Sequence, residues 1–199
     1  MRAVLPTALL LALLAAPGCY TCYSGTARDV SPRQIATDAG WEVVSGVPFV
    51  AQKGDRDCGA AALAMVLSRW FGRESVDVVE ALAPPGNAGI RVGALRDLAR
   101  RRGLEAYVIS GTLADLTRQI SMGRPVVVGL AKPMIGGRAA AHYEVVVGFH
   151  RQKRLVLSLD PARGLRENTL EGFVREWAPT RRVTLIAFPR AGKPVVPAG

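Results

Sequence analysis

The stretch Cys58-Gly59-Ala60-Ala61-Ala62-Leu63-Ala64-Met65-Val66-Leu67 limits what this chain can fold into. It is rich in strong helix formers and has no polar face. Such a helix is soluble only when other elements cover it on every side. Residues 58–71 are therefore expected to form the buried central helix of a domain, stopped by Gly72 and capped at its start by Asp55 or Asp57. The chain has 199 residues, enough for one domain with appendages. With 49% hydrophobic and 21% charged residues it carries material for one core, which excludes disorder along the whole chain.

The remaining pattern places helices first and strands after them. Residues 43–50 read as an extended lead-in. Helices are expected over residues 75–82, closed by Pro84-Pro85-Gly86, over 92–102, and over 113–122 with Thr112 as cap. Strands are expected at residues 104–109, 125–130, 142–149, 155–159 and 183–188, with a short helix at 170–177. The polar turn His150-Arg151-Gln152-Lys153-Arg154 joins two of those strands. This is an α+β domain with segregated halves, spanning residues 45–190. Residues 191–199 hold two prolines and two glycines and read as a loose tail.

The beginning of the chain reads as an address. Met1-Arg2 is followed by an apolar run too short to span a bilayer and suited to a signal peptide over residues 1–18. Ala16-Pro17-Gly18-Cys19 resembles a bacterial lipobox, which makes Cys19 the expected lipidated N-terminus. The alternative is ordinary cleavage nearby. Residues 19–44 then read as a lipidated start and flexible tether, placing the domain in the bacterial envelope, held to a membrane. Oxidised cysteines persist there, but Cys22 lies in the expected tether, so a Cys22–Cys58 bond is not favoured. The 26 Lys and Arg against 16 Asp and Glu give a formal net charge of +10. The arginines are dispersed, so the charge reads as a solvated surface and no nucleic-acid partner is expected.

Chemistry concentrates at four residues. Cys58 sits at a helix start, where the unpaired N–H groups and the dipole favour a thiolate. His142 opens a strand after a run of small residues. Asp160, before Pro161, ends the next strand and returns beside His142 across the hairpin, where a carboxylate can orient an imidazole. Gln52 lies six residues before Cys58, in a loop from which an amide can donate to an oxyanion. Taken alone, each has a plain structural reading: an inert buried cysteine, a strand-end histidine, turn chemistry and a polar loop residue. His150 is about 27 Å of strand away from His142 and is expected on the surface. Cys-x-x-Cys and His-x-x-His spacings are lacking, so no metal is expected.

Together, Val50-Ala51-Gln52, Asp57-Cys58-Gly59-Ala60-Ala61-Ala62-Leu63-Ala64-Met65, His142-Tyr143-Glu144-Val145-Val146-Val147-Gly148 and Leu159-Asp160-Pro161 resemble the bacteriocin-processing, double-glycine leader peptidases. The resemblance runs from about residue 47 to 188. It implies a papain-like cysteine peptidase fold, with a helical N-terminal half whose nucleophile helix packs on an antiparallel sheet. It further implies Cys58 as nucleophile, His142 as base and then acid, Asp160 as orienter, Gln52 as oxyanion donor, no cofactor, and a peptide or protein as substrate. Glu144 replaces the more usual apolar residue and shares a strand face with His142, where its charge would raise the imidazole pKa. Transporter-borne members continue into membrane spans and an ATPase. This sequence has no phosphate-binding Gly-rich motif, so ATP coupling is not expected and the double-glycine preference is left open. A transpeptidase or amidase with the same triad, and a non-enzymatic peptide-binding lipoprotein, are the competing expectations.

Overall fold

A computed structural model of the protein describes residues 22–72, 76–82 and 89–190. The expected signal peptide, Cys19, the Pro84-Pro85-Gly86 stop and the tail lie outside the described residues. In chain order the elements are β1 (Arg28–Asp29), α1 (Pro32–Ala36), β2 (Trp41–Val43), α2 (Cys58–Phe71), α3 (Val76–Leu82), α4 (Val92–Arg101), β3 (Leu104–Ser110) and α5 (Leu113–Ser121). After them come β4 (Val126–Pro133), β5 (Ala139–His150), β6 (Leu155–Asp160), β7 (Gly164–Thr169), α6 (Leu170–Trp177), a 3₁₀ turn at Ala178–Thr180, and β8 (Val183–Pro189). The strands form one antiparallel sheet in the order β1-β7-β6-β5-β4-β8-β3. β2 joins it on β5.

Two cores cover the two faces of this sheet. On one, α2 and α4 pack over Val127, Val145, Leu157 and Leu185. On the other, α5 and α6 pack over Val128, Val146, Val156 and Ile186. The α2 residues Ala60 to Leu67 are almost wholly buried, as an apolar-all-round helix requires. Gly59 lets the helix start lie against β5, since a Cβ there would sit 3.2 Å from the Tyr143 ring. Asp57 is the N-cap residue of α2, but its side chain does not cap the helix. The carboxylate instead accepts from the Gly54 N–H and ties the preceding turn. Thr112 caps α5 as expected, in a reciprocal box with Asp115.

The expected tether is corrected from residue 22 onward, because this segment is seated on the domain. β1 pairs with β7 and β2 with β5. β2 takes the β5 edge at Gly148 to His150, beyond the point where β4 stops pairing at Val146. α1 starts in a capping box of Ser31 and Gln34 with Pro32 in its first turn, a sequence signal for a helix. The two strand pairings join residues more than a hundred positions apart, so no local pattern announces them.

His150 is also corrected, from a surface position to a buried one at 2% exposure. The N-terminal segment covers it. Trp41 meets its ring edge-on, and Gly40 approaches so closely that a Cβ would lie 2.4 Å from the ring. Its Nδ1 accepts from the Lys153 N–H, and its Nε2 donates to Asp38. His150→Ala is therefore expected to lose about 2–3 kcal/mol of stability through the cavity and the lost hydrogen bonds. The denaturation midpoint should fall, while the chemistry at the other end of β5 is unchanged.

Candidate active site

A single extra residue in β5 builds the site. Near the turn, His150 lies opposite Leu155 and Gly148 opposite Leu157. The register then slips, and Val146 lies opposite Ser158 and Val145 opposite Leu159. Residues that oppose each other across an antiparallel pair share a face. Without the bulge at Val147, Asp160 would fall opposite Val145, on the face away from His142. With it, the β6 end falls opposite Glu144 and shares the His142 face. His142 Nε2 then lies 2.8 Å from Asp160 Oδ1.

Cys58 joins the group from the start of α2, near enough to His142 to help raise the imidazole pKa. Asp160 occupies Nε2, which leaves Nδ1 as the ring nitrogen still available. The three residues are 7%, 6% and 2% exposed, in the order Cys58, His142, Asp160. Burial pulls the His142 pKa down, but hydrogen bonds and charge from Asp160 and Cys58 outweigh it and push it up to about 10. Burial pushes Asp160 up. The His142 imidazolium, the Tyr23 hydroxyl and the Ala162 N–H outweigh this and hold its carboxyl well below the usual range. The pair is thus an imidazolium against a carboxylate.

Gln52 is tied to the same corner through its backbone N–H, which donates to Pro161 O at 3.0 Å. Its Nε2 donates to Gly54 O at 2.9 Å. An amide carries two N–H donors, so one is left for a ligand. A groove of about 510 Å³ runs beside it, lined by Phe49, Gln52, Lys53, Pro161 and Arg163 among others. It shares Phe49 and Gly164 with a larger, mainly apolar pocket of about 710 Å³ between α1 and the sheet.

Glu144 shares the His142 face as expected, but its charge is spent elsewhere. It ion-pairs Lys132 and accepts from Ser158 at 2.5 Å. Lys132, 1% exposed, also pairs with Glu176 at 2.7 Å. Ligand atoms of His142, Glu144 and Asp160 lie within 4.8 Å of one another. Asp160 is already bonded to His142 and Glu144 to Lys132, so a cation would have to displace both partners.

The family model described as Peptidase C39 family matches residues 46–191. The chain belongs to the peptidase C39 family. It is a papain-like cysteine peptidase by fold and a peptide-bond hydrolase by class. Among solved structures of C39 type, it is 24% identical to the peptidase domain of Streptococcus ComA, a bi-functional ABC transporter. The TM-score is 0.60, covering 72% of this chain and 99% of that one. A putative C39-like peptidase from Bacillus anthracis is 18% identical, with a TM-score of 0.62 and coverage of 74% and 97%. A double glycine motif protease from an AMS/PCAT transporter, solved with its leader peptide, is 25% identical, with a TM-score of 0.59 and the same coverage. No curated protein matches the chain. The C39 match begins at residue 46, so β1, α1 and β2 lie ahead of it.

Proposed function

We propose that Cys58, His142 and Asp160 form the catalytic triad of this C39 peptidase, acting on a peptide or protein of the bacterial envelope. The observation that carries the reading is the shared imidazole: Nε2 is bonded to Asp160, and the other nitrogen is left for Cys58. The Cys58 thiolate attacks the substrate carbonyl, and the Cys58 N–H with the free Gln52 N–H receives the oxyanion. His142 gives its proton to the leaving amine, which departs as the C–N bond breaks, leaving a thioester on Cys58. His142 then takes a proton from water, whose oxygen attacks the thioester and returns the thiolate. The groove along Gln52 and Pro161 would carry an extended peptide past the oxyanion donor. The adjoining apolar pocket suits an apolar stretch of the same substrate.

The pH profile of peptide cleavage tests this reading. The pKa of His142 is raised above the ordinary value of about 6.5. Its imidazolium, and the stability it confers, is therefore fully present below that pH and is lost as pH rises through about 10. With fluorogenic peptides, kcat/KM is expected to hold through mildly alkaline pH and fall only as pH 10 is approached. An alkaline limb centred near pH 6.5 would show an unpaired histidine and overturn the triad.

The envelope address rests on Ala16-Pro17-Gly18-Cys19. Tyr23 follows Cys19 by four positions, a span of at most about 14 Å, so lipid on Cys19 would hold the site close to the bilayer. Cys19→Ser should shift the protein from the membrane to the soluble fraction or block its processing. Unchanged fractionation, with residue 19 unmodified in mass spectra, would remove the anchor.

A further inference from the structure

The C39 match begins at residue 46, yet a residue well ahead of it touches the triad. The Tyr23 hydroxyl donates to Asp160 Oδ2, while Asp160 Oδ1 takes His142 Nε2 and the Ala162 N–H, both at 2.8 Å. The Tyr23 ring lies over the ammonium of Lys132, 3.4 Å from the ring centroid, with the Arg166 guanidinium 4.8 Å away. Lys132 is the ammonium that Glu144 and Glu176 hold in place. These buried charges have no part in the peptidase steps above. They form a seat for the aromatic ring, where a desolvated cation against a π face is worth most.

The neighbours of Tyr23 are seated as firmly. The Cys22 N–H donates to Pro133 O at 2.7 Å, and the Ser24 N–H donates to Glu176. Gly25 packs against Gly172, where a Cβ on Gly172 would lie 2.5 Å from the Gly25 Cα. Burial and the nearby charges of Glu144 and Asp160 raise the Tyr23 pKa, so the phenol stays a proton donor at any working pH.

We propose that Tyr23 is a positioning residue of this peptidase: its hydroxyl fixes the Asp160 carboxylate and, through it, the His142 ring. The N-terminal segment is then a working part of the site. A buried carboxylate with both oxygens engaged cannot swing, and the imidazole it holds stays aligned with Cys58. This rests on the triad reading, and the test separates the two.

Tyr23→Phe in the full chain keeps the ring over Lys132 and deletes only the hydroxyl. Losing a hydrogen bond to a charged group predicts a fall in kcat of about 10- to 100-fold with KM nearly unchanged. Asp160 faces His142 and Tyr23 directly, with Cys58, Glu144, Lys132, Arg163 and Arg166 around the same cluster. Without the Tyr23 donor its carboxylate is less stabilised, so the acid limb of kcat should move to higher pH. In an Asp160→Asn background, Tyr23→Phe should add little. Iodoacetamide labelling of Cys58 at pH 6 should slow in parallel with kcat, with circular dichroism confirming the fold. If Asp160→Asn is damaging while Tyr23→Phe leaves kcat, the acid limb and labelling unchanged, the segment is packing only and the proposal fails. If Asp160→Asn is itself harmless, the triad reading fails with it.

Discussion

Cys58→Ala is expected to abolish peptide hydrolysis, and His142→Ala to come close to it. On the proposed mechanism Cys58 is the nucleophile, and no described side chain near His142 replaces it. On that mechanism, removing His142 deletes both the base and the acid for the leaving amine. Such residues act as a unit, so the double variant should be hardly worse than Cys58→Ala alone. Gln52→Ala should lose about 10²–10³ in rate if its free N–H meets the oxyanion. Asp160→Asn should fall between these, because it misorients His142 without deleting it. Rates on fluorogenic peptides, with circular dichroism of each variant, check the order. Activity that survives Cys58→Ala would place the chemistry elsewhere.

Lys132→Ala is expected to be the most destabilising single change in this region. Its ammonium is 1% exposed and pairs with Glu144 and Glu176. Removing one partner of a buried ion network leaves uncompensated charge, at a cost of about 3–5 kcal/mol. It also removes the cation beneath the Tyr23 ring. The pH dependence carries a sign. Burial raises the Glu176 pKa, and Lys132 opposes that rise. Without Lys132 the carboxyl rises further and prefers its proton. The penalty is then small near pH 4, where the group is largely protonated folded or unfolded, and grows toward pH 7. Urea denaturation of the wild type and the variant at both values should show a larger gap at pH 7. Equal gaps would mean that the glutamates are not held by Lys132.

The parts of this fold that were legible in the sequence carry their own local signal. Helix α2 matches its expected span, because fourteen residues without a polar face have one use. Helix α6 does too, between the Thr169 cap and Trp177. Strand β7 was not legible: its Arg166, Glu167 and Asn168 look like loop residues, and they are buried only because β1 and β6 flank them. The same is true of residues 22–44, whose burial depends on strands far along the chain. At the site, Cys58 opens α2 and Asp160 closes β6, whereas His142 lies inside β5, which begins three residues earlier than expected, at Ala139. A plain hairpin count would have put Asp160 on the wrong face, and the bulge at Val147 corrects it. Its one trace in the sequence is Gly148, where a Cβ would lie 2.9 Å from Glu42 O. Tyr23 has no such trace, since an aromatic residue in a polar stretch does not show what it covers.

Thiol labelling tests the central claim most directly, because it needs no substrate. Cys22 is exposed and Cys58 is buried, and both are free. Access alone predicts that iodoacetamide modifies Cys22 first. At about pH 6 an ordinary thiol is almost wholly protonated and slow, whereas a thiolate paired with the His142 imidazolium reacts. Peptide-resolved mass spectrometry should find Cys58 labelled faster than Cys22 at that pH, with the advantage lost in His142→Ala. Faster labelling of Cys22, with Cys58 indifferent to His142, would contradict the account.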